Sequence, residues 1–177
     1  MAMFFSGRVK ADHFDERMLA FIKDKSVDLF VSVNNLEDLD RFDLNLRPYV
    51  KVFSIIQHDY ELRFSPKERE AMQQWKRSES NLNNMYSMFF HHKNNFHNIN
   101  EYSRRTKKSY DVIIYGRYDM LPKEEPRVDL ENISLNTIYI PNGFDYHGIN
   151  DQFAYGDMFS MEHYCSLYDH FYQYCIQ

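Results

Sequence analysis

The chain has 177 residues, a formal charge of −5 at pH 7 and 44% hydrophobic residues. That length suits one domain with a substantial core. The acidic balance argues against general nucleic-acid binding, which needs a dominant basic surface. Aromatic residues make up 17%, with 15 Phe and 14 Tyr; rings fill cores, and tyrosine also lines sugar and base pockets with a flat face and a hydroxyl. Cys165 and Cys175 stand in no metal-ligand spacing and read as reduced thiols. No segment has the length of a transmembrane helix. The opening MAMFFSGRVK is too short, and too polar after Phe5, for a signal peptide. A soluble cytoplasmic protein is expected.

In chain order, Ala2–Ser6 is an apolar run stopped by Gly7 and predicts a first strand. Residues 12–25 place Phe14, Met18, Leu19, Phe21 and Ile22 near helical spacing. VDLFVSV at 27–33 predicts a buried strand, residues 36–46 a helix or helical turn, and YVKVFSII at 49–56 a third strand. This alternation favours a mostly parallel, doubly wound sheet. Ser65-Pro66 has the form of a helix start. Helical sequence runs to about residue 76, breaks around 78–80 and resumes from about Asn81, with Met85, Met88, Phe89 and Phe96 on its inner face. VIIYGR at 112–117 predicts a buried strand; residues 121–135 a surface loop; TIYI at 137–140 a strand; 145–157 a polar loop or helical turn; and 159–174 a terminal helix.

The chemistry-bearing residues cluster at strand ends. Tyr110–Asp119 reads YDVIIYGRYD, so a buried strand delivers Arg117, Tyr118 and Asp119 together at its C-terminal end. Open α/β sheets bind ligands at that edge. Arginine beside a carboxylate suits a phosphate-bearing ligand with a divalent cation; the competing reading is a surface pair closing a strand. Asn150-Asp151-Gln152 forms a second polar cluster. It reads either as a helix cap or as a site with Asp151 as base or acceptor-binding group and Gln152 bonded to a sugar hydroxyl. His147 is either a solvated loop histidine or a metal ligand. Ser6-Gly7-Arg8 allows close backbone approach to a phosphate, or is a plain turn. It is neither a GxGxxG nor a P-loop. His91-His92 point to different helix faces and predict no zinc site.

Four segments in order, FFSGRVK, NLNNMYSMFFHHKN (from Asn81), YDVIIYGRYDMLP and IYIPNGFDYHGINDQFAYGDMFSMEHY, resemble the small GT-A-type glycosyltransferase domains of polysaccharide-synthesis loci and large DNA viruses. The similarity spans residue 1 to about 165. It implies a single α/β, GT-A-like (Rossmann-like) domain over 1–177, or one domain of a longer polypeptide, with a mostly parallel sheet flanked by helices. If the chain is viral, host cytoplasm is the expected location. The implied partners are a nucleotide-diphosphate sugar and a glycan acceptor, and the implied cofactor is Mn²⁺ or Mg²⁺. Ser6, Gly7 and Arg8 would hold the donor nucleotide, and Asn84, Ser87 and Met88 would flank it. Arg117-Tyr118-Asp119 would stand where many such enzymes carry Asp-x-Asp, with Arg117 in place of the first carboxylate. Asp119 and His147 would face the metal. Asp151, Gln152, Tyr155, Gly156 and Asp157 would line the donor-sugar and acceptor side, with Asp151 the first choice of base and Asp157 the competitor. A non-catalytic nucleotide- or glycan-binding module is the alternative. A metal-dependent phosphohydrolase or nucleotidyltransferase is a third reading, weakened by a single strand-end carboxylate.

Overall fold

The computed structural model describes residues 1–6, 16–40, 42, 44–56, 65–67, 69–70, 79–117, 128–129, 131–142, 151–171 and 173. They form an α/β molecule around a six-stranded sheet. In chain order the elements are β1 (Ala2–Ser6), α1 (Glu16–Asp24), β2 (Asp28–Val33), α2 (Leu36–Asp40), a 3₁₀ turn (Leu44–Tyr49) and β3 (Val50–Ile55). There follow α3 (Glu79–Thr106), β4 (Ile113–Arg117), β5 (Ile138–Tyr139), β6 (Phe153–Gly156), α4 (Met158–Cys165) and a 3₁₀ turn (Ser166–Tyr168).

The sheet order is β3-β2-β1-β4-β6-β5. The pairs β2–β3, β1–β2 and β1–β4 are parallel, and β4–β6 and β5–β6 are antiparallel. The expected mostly parallel sheet is therefore a mixed one. The polar loop or turn expected over 145–157 contains a strand, β6, that lies between β4 and β5. The helix expected from 159 ends as α4 at Cys165 and continues as a 3₁₀ turn.

Side-chain alternation gives each face its own core. Met3, Phe5, Leu29, Val31, Val33 and Ile114 pack with Phe21 and Ile22 of α1. Ala2, Phe4, Phe30, Ile113 and Tyr115 pack with Phe96 and Ile99 of α3 and with Met161, Tyr164 and Cys165 of α4. With both faces covered, β1 and β2 are buried along their whole length, which is why they read as continuous apolar runs. Cys165 is a free, buried thiol whose pKa burial pushes up.

The 28 residues of α3 rise about 42 Å, while a five-residue strand spans only about 17 Å. The helix therefore overhangs the sheet. Just past its C-terminal end, Lys108 and Tyr110 both bond Asp28 at the start of β2. Further back, Asn95 donates to Phe5 O and to Ser32 Oγ near the other strand ends. α3 thus runs opposite to β2, and its first turns pass beyond the C-terminal edge of the sheet, where Leu82 meets Phe171. No described helix is long and apolar enough to cross a membrane.

Candidate functional site

The parallel strands reverse their order between β1 and β4: β2 and β3 lie on one side of β1, and β4 lies on the other. The crevice outside the C-terminal ends at such a reversal is where open α/β sheets place ligands. Ser6 ends β1 and Arg117 ends β4, and the two are register partners. Ser6 also pairs with Ser32, and Ser32 with Ser54. A row Ser54–Ser32–Ser6–Arg117 thus crosses four strands at one edge.

The second predicted cluster arrives at the same place. The Arg117 N–H donates to Gln152 O at 3.1 Å, and Arg117 Nη1 lies 3.9 Å from Asp151 Oδ1. The antiparallel strand β6 causes this, because it starts beside the end of β4, with Phe153 opposite Gly116. The Arg117–Asp151 separation is an ion-pair distance, longer than a hydrogen bond. Arg117 and Asp151 are both partly exposed, at 35% and 46%, so the pair is open to solvent at the strand ends.

Beneath the pair lie buried polar groups. The Tyr115 hydroxyl is buried without a well-formed hydrogen bond. Burial is the main reason its pKa stands well above the usual phenol value. Asp151 and Tyr164 add to the rise, while Ser6 and Arg117 are close enough to oppose it. The Tyr164 hydroxyl is raised mainly by burial, with Asp151 contributing. Both phenols are therefore neutral donors at physiological pH. The His92 ring lies 4.0 Å from that of Tyr115 and 5.7 Å from that of Tyr164, centroid to centroid. Burial, followed by the neighbouring His91 and Arg117, holds its pKa down at about 3.

The face of α3 over the serine row carries a polar stripe. His91 Nε2 donates to Asn34 Oδ1 at 2.7 Å, and Nδ1 accepts from the Ser32 hydroxyl at 2.8 Å. That tautomer leaves Ser32 Oγ to accept from Asn95 Nδ2 at 2.7 Å. Asn98 reaches Ser54 Oγ at 2.8 Å. His91, Asn95, Ser32 and Tyr115 were not singled out as functional positions from the sequence. A signal was present: serines near the ends of three strands, and His91, Asn95 and Asn98 at helical spacing. His91 and His92 occupy different surroundings, the first bonded to Asn34 and Ser32 and the second packed against Tyr115 and Tyr164.

The remaining candidates divide. Ser87 lies one turn, and Asn84 two turns, further out from His91 on the overhanging part of α3; Asn84 is exposed and Ser87 half-buried. Gly156 pairs with Ile113, at the opposite edge of the sheet from Arg117. It is a glycine for a packing reason, since a Cβ there would stand 2.6 Å from Thr137 O. Tyr155 pairs with Ile114 and packs on the α1 face, where its ring stacks on Tyr139 at 4.8 Å; Arg117 lies on the α3 face.

Asp157 requires a correction. It is the N-cap of α4, accepting from Ser160 N at 2.9 Å, Ser160 Oγ at 2.8 Å and Asn136 N at 2.7 Å. Burial alone raises its pKa, but these bonds together hold the carboxyl below its usual range. Both oxygens are committed to the cap, at the wrong edge for a base acting beside Arg117.

Gly7, Arg8, Tyr118, Asp119 and His147 lie outside the described residues, so both metal-ligand candidates do too. Among the described residues no group of three or more His, Cys, Asp or Glu side chains could hold a metal. Asp151 is the described carboxylate beside Arg117, and it offers oxygen ligands of the kind Mg²⁺ and Mn²⁺ take. The chain matches no family model, no curated protein and no solved structure.

Proposed function

We propose that this protein is a GT-A-like glycosyltransferase, moving a sugar from a nucleotide-diphosphate donor to a glycan or protein-glycan acceptor with help from Mn²⁺ or Mg²⁺. The observation that carries the reading is the meeting of Ser6, Arg117 and Asp151 at one strand-end edge, at the reversal of strand order. The sequence segments that resemble such enzymes contribute these same residues.

The chemistry follows from the groups. An acceptor hydroxyl attacks the anomeric carbon, the bond from that carbon to the phosphate oxygen breaks, and a nucleoside diphosphate leaves. The negative charge gathering on the diphosphate is the largest that develops, and Arg117 lies where it can offset it. A bound divalent cation would add to that charge compensation, with Asp119 and His147 as its candidate ligands. Asp151 takes the proton of the attacking hydroxyl once Arg117 turns from the carboxylate to the phosphate. Asp157, committed as a helix cap, has no part in this scheme.

A thermal-shift screen of UDP, GDP, CMP and TDP sugars, with and without Mn²⁺, tests the reading. A donor at a hundred times its Kd stabilises the fold by about 2.7 kcal/mol. A positive donor then goes into a transfer assay with a mixed glycan acceptor library. Stabilisation without transfer or donor hydrolysis would favour the non-catalytic module.

A further inference from the structure

We infer that the Tyr115 hydroxyl is a ligand contact, a phosphate donor at the floor of the crevice beside Arg117. The inference deepens the proposed function and rests on its phosphate-binding half alone.

Three observations support it. Tyr115 is 0% exposed, and its hydroxyl is without a well-formed hydrogen bond. Ser6 is near enough to bond it, though short of good geometry, and an under-satisfied buried hydroxyl costs on the order of 1–3 kcal/mol, which a ligand oxygen would recover. Second, the side chain points toward the reversal of strand order. Tyr115 is two residues before Arg117 on the same face of β4, and its hydroxyl comes near enough to Ser6 and Arg117 for both to favour its ionised form. Third, the neighbouring groups suit an anion. Ser6 carries a hydroxyl, Arg117 a guanidinium, and Tyr115 a phenol that burial keeps protonated and therefore donating. Three converging donors at strand ends match the oxygens of a phosphate.

The hydroxyl is covered in the free protein, so a phosphate would reach it only by displacing a group at the strand ends. Arg117 meets Asp151 at 3.9 Å, longer than a hydrogen bond, and a phosphate would compete with that carboxylate for the guanidinium.

The test is calorimetric titration of the full chain with inorganic pyrophosphate and with UDP and GDP, for the wild type and Tyr115→Phe. Loss of a hydrogen bond to a charged group weakens binding roughly 10- to 100-fold, and that loss is expected for pyrophosphate as well as for the nucleotides. Equal affinities in the two proteins would overturn the inference, as would a wild type that binds none of the three at millimolar concentration. Pyrophosphate binding that depends on Tyr115, in a protein that neither transfers nor hydrolyses any sugar nucleotide, would uphold the phosphate contact and overturn the glycosyl-transfer reading. Should Tyr115→Phe fold poorly, the ring ¹³Cε resonance of Tyr115 in the wild type serves instead. It shifts on addition of pyrophosphate if the contact exists, and a resonance that stays still sinks the idea.

Discussion

At the scale of single residues, Arg117 and Asp157 show how little side-chain type alone says about role. Arg117 was a candidate because it closes an apolar strand, and Asp157 because the resemblance puts it on the acceptor side. Arg117 ends β4 beside Ser6 and Asp151; Asp157 follows β6, whose opposite direction carries it to the other edge, where it caps α4. The two roles predict different losses. Arg117→Ala should weaken diphosphate binding by about 10- to 100-fold, the worth of a charge-assisted contact, and leave the melting temperature nearly unchanged. Asp157→Ala should lower stability by about 1–2 kcal/mol, the usual cost of an N-cap, and leave nucleotide affinity unchanged. Paired titrations and denaturant melts of the two variants check both. A stable Asp157→Ala protein that had lost transfer activity would restore Asp157 as a catalytic candidate.

At the scale of elements, the parallel strands and α3 were legible because their patterns are strong. Ala2–Ser6, Asp28–Val33 and Val50–Ile55 each fall within a predicted strand, and α3 begins within three residues of its expected start. β6 was not legible. Phe153-Ala154-Tyr155-Gly156 is four residues long, two of them poor strand formers, and polar sequence precedes it. Its conformation is imposed by neighbours on both sides, β4 and β5. Half of the candidate site was hidden for the same reason, because only the direction of β6 decides which of Asp151 and Asp157 reaches Arg117. The polar stripe of α3 was hidden differently: Asn and His on a helix read as a solvated face until the serine row supplies their partners. A sharp consequence concerns Gly156. A methyl group there would stand 2.6 Å from the Thr137 carbonyl oxygen, a backbone atom that cannot rotate away. Gly156→Ala should therefore destabilise the fold by about 1–3 kcal/mol through separation of β5 from β6. Amide exchange should report it first at Ile138 and Tyr139. Unchanged protection there would mean that β5 yields freely.

At the scale of the whole molecule, His92 links the site to the stability of the fold. It belongs to α3, and its ring meets Phe4 on β1, Tyr115 on β4 and Tyr164 on α4. The charged and titratable groups facing it are Arg117 and Tyr115 from β4, Tyr164 from α4 and His91 from its own helix. Both ring nitrogens are buried without partners, so nothing compensates a proton there, and the folded protein holds its pKa at about 3. The unfolded chain returns it to about 6.5. As pH falls below about 6.5 the unfolded state takes up a proton that the native state refuses, so stability is whole above that pH and declines toward pH 3. The decline approaches about 1.4 kcal/mol per pH unit. Asp28 and Asp157, whose carboxyls are also held below their usual range, lose their contributions only under about pH 4. The window between about pH 6.5 and 4.5 therefore separates His92 from them. His92→Phe keeps an aromatic ring among aromatic neighbours and removes two orphaned nitrogens, a change that should be close to neutral at pH 7. Urea midpoints from pH 7 to 4.5 should fall steeply for the wild type and much less for His92→Phe. Parallel slopes for the two proteins would mean that the acid sensitivity resides elsewhere and that the buried ring already finds its proton a partner.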